Sequence, residues 1–157
     1  MTASRIRALP VIATLASVIA VACDPALSLR PVGWEPSGEF QWEAESNGVH
    51  FVVGSLGGLI RSKSTSFEIA IRNTASSRFV IDGATLETNR TTYAATLSGQ
   101  GEEKWRSVDP GATERINLHW SFDGPLYETF GDTATMRVAC HLDANEHEIR
   151  INFRRTD

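Results

Sequence analysis

The stretch MRVACHLDANEHEIRINF, residues 136–153, decides the fold. In its first half Met136, Val138, Cys140 and Leu142 alternate with Arg137, Ala139 and His141. In its second half Ile149, Ile151 and Phe153 alternate with Arg150 and Asn152. A period of two is the spacing of a strand with one face buried and one wet. Asp143 to Glu146 supply the turn between the halves, so the stretch reads as an antiparallel hairpin.

The same period recurs upstream. Ile116, Leu118, Trp120 and Phe122 alternate with Asn117, His119 and Ser121. Phe67, Ile69 and Ile71 alternate with Glu68, Ala70 and Arg72. Val49, Phe51 and Val53 alternate with His50 and Val52, and Phe40, Trp42 and Ala44 alternate with Gln41, Glu43 and Glu45. Asn47-Gly48 joins those last two runs and is a strong hairpin turn, since both residues tolerate φ > 0. Phe79 to Leu86 reads as a strand broken or bulged at Asp82-Gly83. Thr91 to Leu97 is a Thr-rich strand expected at an edge. No stretch of ten or more residues after residue 22 shows a 3.6-residue period, so the class is all-β. Seven to nine short strands predict a two-sheet antiparallel sandwich over residues 39–157, because one layer would leave these apolar faces in water.

Asp132-Thr133-Ala134-Thr135-Met136-Arg137-Val138 resembles the run that leads into strand F of immunoglobulin domains. Met136 stands where the corner tyrosine would be and Val138 where the disulfide cysteine would be. Ser107-Val108-Asp109-Pro110-Gly111, followed by an alternating strand, resembles the small immunoglobulin-like domains of bacterial lipoproteins and secreted proteins. The resemblance implies an immunoglobulin-like sandwich and no particular activity.

The N-terminal end gives an address. Arg5 and Arg7 precede an apolar run, Leu9 to Ile19, and the small residues Ala20-Val21-Ala22, the layout of a secretory signal over residues 1–22. Ile19-Ala20-Val21-Ala22-Cys23 resembles the lipobox of bacterial lipoproteins. That resemblance implies cleavage before Cys23, a diacylglycerol on its thiol and a membrane anchor; two or more acyl chains hold a protein stably where one does not. It places the chain in a bacterial envelope on the extracytoplasmic side, which is the periplasm in a Gram-negative cell. Asp24 resembles the inner-membrane retention residue of enteric lipoproteins. Residues 23–38 then form the lipidated cysteine and a tether: Pro25, Pro31 and Pro36 with Gly33 and Gly38 read as extended chain. At about 3.1 Å per residue it would reach up to roughly 45 Å. The competing reading is a strand that packs on the domain through Trp34.

After Cys23 is freed, 13 basic and 19 acidic side chains remain, a net charge of −6. That argues against a nucleic-acid partner, whose phosphates need a basic face. Cys23 and Cys140 are the only cysteines, so a lipidated Cys23 leaves Cys140 without a disulfide partner. Cys140 with nearby histidines invites a blue-copper test, but His141 alternates to the opposite face and no Met follows. Cys140 therefore reads as a small core residue. His119 and His141 both face outward, and on neighbouring strands they could share a metal; His50 and His147 stand alone.

Gly54 to Ser64 looks briefly like a phosphate loop, yet Ser62 stands where a glycine is needed and no helix follows. It reads as a flexible loop, with Arg61 and Lys63 as its contact residues should it bind anything. Asp143, Glu146 and Glu148 form an acidic turn that matches no calcium loop. Asn89-Arg90-Thr91 is a formal sequon of little weight in a bacterial lipoprotein. Leu126, Tyr127 and Phe130 lie in a long loop, Asp123 to Thr133, read as a lid over the core, the alternative being an exposed apolar patch for a partner. There is no Ser-His-Asp order and no carboxylate pair in context. The expectation is a non-catalytic lipoprotein without cofactor that contacts an envelope protein partner. The alternative is a small-ligand or metal-binding lipoprotein.

Overall fold

The computed structural model describes residues 25–98 and 107–156. The expected signal segment, Cys23 and Asp24 lie outside the described residues. Two antiparallel sheets face each other. In chain order the strands are β1 (Ala26–Val32), β2 (Glu35–Gly38), β3 (Gln41–Ser46), β4 (Val49–Val53) and β5 (Leu56–Leu59). Then come β6 (Ser64–Asn73), β7 (Phe79–Glu87), β8 (Thr92–Ala94), β9 (Thr96–Ser98) and β10 (Ser107–Val108). β11 (Thr113–Ser121), a single helical turn α1 (Leu126–Thr129), β12 (Thr133–Leu142) and β13 (Asn145–Arg155) complete the chain.

One sheet runs β10-β7-β12-β13-β1-β5, with β8 also on β7; the other runs β2-β3-β4-β6-β11-β9. Within them, β4-β6-β11-β9 and β8-β7-β12-β13 repeat the A-B-E-D and C′-C-F-G orders of an immunoglobulin-like Greek key. β12 holds the strand F position, as its resemblance implied. The thirteen strands among the described residues exceed the expected seven to nine because β1, β2, β5 and β10 are added and the Thr-rich strand divides into β8 and β9.

The alternating residues meet in one core. Val49, Phe51, Phe67, Ile69, Ile71, Ile116, Leu118 and Trp120 from one sheet pack on Met136, Val138, Cys140, Ile151 and Phe153 from the other. Edge-to-face contacts bridge the layers, Phe51 on Phe79 at 5.7 Å and Phe67 on Phe153 at 5.5 Å. Such pairs add about 0.5–1.5 kcal/mol beyond area burial. Asn73 is fully buried yet satisfied: its amide donates to the carbonyls of Ser77 and Val108, and its side-chain oxygen accepts from the Ala75 N–H. It pins the end of β6 to β10 in the opposite sheet. Trp120 is 1% exposed, and its Nε1 has no hydrogen-bond partner among the described residues.

Local chemistry behaves as the turns require. Asn47 and Gly48 take φ of 53° and 74°, and Asp143 in the β12–β13 turn takes 51°. The break at Asp82-Gly83 is a bulge: Ala139 faces Gly83, while Cys140 faces Ile81, leaving Asp82 unopposed. The Thr-rich segment is indeed marginal, and it divides. β8 edges one sheet and β9 the other, with the Ala95 N–H donating to the Ala84 carbonyl between them.

Three expectations are corrected. The described part of the 23–38 tether is not free chain; as in the competing reading it is strand, β1 and β2, with Trp34 packed against the core, and the sandwich begins at Ala26 instead of residue 39. Leu27 and Leu29 alternate with Ser28 and Arg30, are only 3% and 0% exposed, and bind β1 into the core. Pro31 is tolerated because Ser28 bonds toward the β13 side, so by alternation Pro31 turns its nitrogen the other way, where β5 pairs no further than Leu29. The Gly54 to Ser64 loop is partly strand: β5 crosses to the other sheet and pairs with β1. Phe40, despite its place in an alternating run, is 70% exposed with φ of 63°, because the chain turns there from β2 into β3.

Candidate functional site

The chain enters the sandwich beside its C-terminal end. The Pro25 carbonyl accepts the Ile60 N–H, and the Ser28 carbonyl accepts the Thr156 N–H. Asp24 and Pro25 alone separate Cys23 from β1, a reach of about 10 Å for extended chain. The 60–63 turn and the 122–132 loop close the same end. Phe122 N–H donates to the Lys63 carbonyl, Leu126 N–H to that of Ser62, and Tyr127 N–H to that of Ile60.

Here the lid reading agrees with the geometry. Leu126 and Phe130 are buried, and Phe130 stacks edge-on against Phe122 at 5.5 Å. Tyr127 stays out, 55% exposed. A hydrogen bond and the charge of Glu128 push its phenol pKa up, with Arg61 pulling the other way. Arg61 and Lys63 are both exposed at this end.

The histidines do not converge. His119 is on β11 and His141 on β12, in different sheets, so the metal pair that their shared parity allowed is not formed. Instead His119 Nδ1 meets Ser66 Oγ at 3.0 Å, and His141 Nδ1 meets Asp82 Oδ2 at 2.9 Å. His50 lies 3.2 Å from Glu43, and His147 Nδ1 lies 3.4 Å from Asn47. Sequence parity gives the face of a strand but not the sheet it joins, which is why this pairing needed a fold to settle.

Cys140 is 2% exposed, a free thiol facing the core. Burial pushes its pKa up to about 11, and the nearby Asp82 charge adds to that. A thiol so protonated is neither a nucleophile nor a ready metal ligand. In the acidic turn, Asp143 accepts the Ser77 hydroxyl and Glu148 is held by Arg137 at 3.2 Å, while Glu146 points to solvent. Among the described residues no three His, Cys, Asp or Glu side chains come together in a way that could hold a metal ion.

A depression of about 630 Å³ lies at the opposite end, between Asn47, Ser77, Asp143 and His147. It is shallow and polar, unlike the enclosed apolar sites that take small ligands. Among the described residues no helix is long and apolar enough to cross a membrane.

These features define an all-β sandwich of immunoglobulin-like topology. No protein-family model matches the chain, and no curated protein matches it. Among solved structures, one of a functionally unknown protein from Listeria monocytogenes EGD-e is similar, with a TM-score of 0.55 and 12% identity. The likeness covers 82% of this chain and 84% of that one. At that identity it speaks for the fold alone.

Proposed function

We propose that this chain is a lipid-anchored protein of the bacterial envelope. In this reading it is a non-catalytic module that works through protein contacts on the extracytoplasmic side. The observation that carries the proposal is the closeness of the fold to Cys23. The lipobox-like Ile19-Ala20-Val21-Ala22-Cys23 runs into β1 after only two residues, so a lipid on that cysteine would hold the whole sandwich at the bilayer surface. A domain held there acts by position, and an edge strand such as β2, unpaired on its outer side among the described residues, offers main-chain groups to a partner strand.

The test is cross-linking and affinity capture of the tagged full chain from native membranes, with a Cys23→Ala control, and mass analysis of Cys23. The expected result is an acylated Cys23 and one abundant envelope partner that the control loses. An unmodified Cys23, or a capture identical in both forms, would overturn the proposal.

A further inference from the structure

The outer face of the β5-β1-β13-β12 sheet carries arginines in an arrangement that costs stability. Arg30 on β1 lies directly opposite Arg154 on β13, and Arg150 on β13 lies directly opposite Arg137 on β12. All four fall on the outward side of their strands, between the buried Leu29, Phe153, Ile151 and Met136. Like charges directly opposite in a sheet destabilise it. Arg137 is neutralised, 3.4 Å from Glu87 and 3.2 Å from Glu148. Arg30, Arg150 and Arg154 are exposed and have no ion-pair partner among the described residues.

The same face bears exposed apolar side chains. Val32 follows Arg30 on the outward row of β1 and is 43% exposed. Leu59 on β5 pairs opposite Ala26 and is 56% exposed. Arg30 and Arg154 lie between the rows of Leu59 and Val32, and Arg150 lies one row beyond Val32. Glu87 and Glu148 on this face are taken up by Arg137, so in a protein that carries a net negative charge three uncompensated arginines and two exposed aliphatic side chains share one surface. The end of the sandwich is a poorer basic surface, because Asp123, Asp132 and Glu128 stand there beside Arg61 and Lys63.

We propose that this face lies on the bilayer, with Arg30, Arg150 and Arg154 on anionic phospholipid headgroups and Val32 and Leu59 at the acyl boundary. The inference rests on the anchoring reading above, which brings a bilayer within about 10 Å of Ala26. Arg30 is four residues further, about 13 Å along the strand. Each arginine near an anionic surface contributes about fivefold in partitioning, enough to fix the orientation of a domain already tethered.

The experiment uses the full chain in nanodiscs, either neutral phosphatidylcholine or mixed with phosphatidylglycerol. A nitroxide is placed at Val32→Cys or, on the outward side of the other sheet, at Asn117→Cys. In anionic discs the Val32 label should be relaxed several-fold more than the Asn117 label by a lipid-dissolved agent. That contrast should shrink in neutral discs and vanish with Arg30→Glu, Arg150→Glu and Arg154→Glu together. Equal, water-like exposure of both labels in anionic discs sinks the proposal, as does a contrast that survives the triple substitution. Mass analysis of Cys23 in the same samples separates the two readings. An acylated Cys23 with Val32 in water refutes the docking face alone. An unmodified Cys23 with Val32 in lipid refutes the anchor alone.

Discussion

At the scale of the residue, Cys140 shows how burial changes the chemistry of a side chain that composition leaves ambiguous. Alternation placed it inward among Met136, Val138 and Leu142, and it lies there with its sulfur 3.5 Å from the His147 carbonyl. Its pKa stands at about 11 against an ordinary 9.0, so the folded state holds the proton that the unfolded state releases first. Folded chains therefore bind more protons between pH 9 and 11, and stability falls as pH rises through that window. Two units correspond to about 2–3 kcal/mol, present below pH 9 and gone by pH 11. Denaturant unfolding from pH 8 to 11 should show this loss in the Cys23→Ser chain and lose most of it when Cys140→Ala is added. At neutral pH an aromatic disulfide reagent should leave Cys140 untouched until denaturant is added. Prompt reaction of the folded chain would mean that the thiol is neither buried nor held protonated.

Among the elements, β5 depends on one glycine. A Cβ at Gly57 would collide with the Leu27 carbonyl, since β1 and β5 pair there and the Thr65 hydroxyl also donates to the Gly57 carbonyl. Gly57→Ala should therefore detach β5 or cost about 2–4 kcal/mol. Amide exchange should speed up in β1 and β5 while β6 and β11 stay protected. Unchanged exchange in β5 would show that the close approach is not required. These elements also mark the limit of what the sequence makes legible. Strands β4, β6, β7, β11, β12 and β13 announce themselves because a half-buried strand in a sandwich must alternate, and their turn residues take the expected positive φ. β1 hides behind three prolines and glycines that equally suit an extended linker, and only the burial of Leu27 and Leu29 distinguishes the two. β5 hides for a related reason, because Gly57-Gly58 carries no side-chain pattern and its spacing to β1 is set by main chain. The arginine face was invisible too. Arg30, Arg150 and Arg154 are scattered in sequence, and register alone brings Arg30 against Arg154.

For the whole molecule, the arrangement of charge argues that stability has been given up on one face. Opposed arginines cost about 0.2–1 kcal/mol per pair in a sheet. Arg137 is held by Glu87 and Glu148, but nothing in the described fold requires Arg30, Arg150 or Arg154, which sit at exposed outward positions where a neutral polar residue would pack equally well. The core beneath is formed by Leu29, Phe153, Ile151 and Met136, which do not touch solvent. Replacing Arg30 and Arg150 with glutamine should therefore raise the melting temperature by about 1–5 °C at low salt. Added salt should narrow the difference, since exposed charges are screened within about 8 Å at 0.15 M. Thermal unfolding of the chain and of Arg30→Gln/Arg150→Gln, at low and high salt and without lipid, measures both effects. A lower melting temperature in the variant would mean that the arginines are held by favourable contacts within the domain, so that they need no outside anion to account for them. A higher one, together with loss of lipid contact at Val32, would identify the face as a surface kept for binding at the expense of folding.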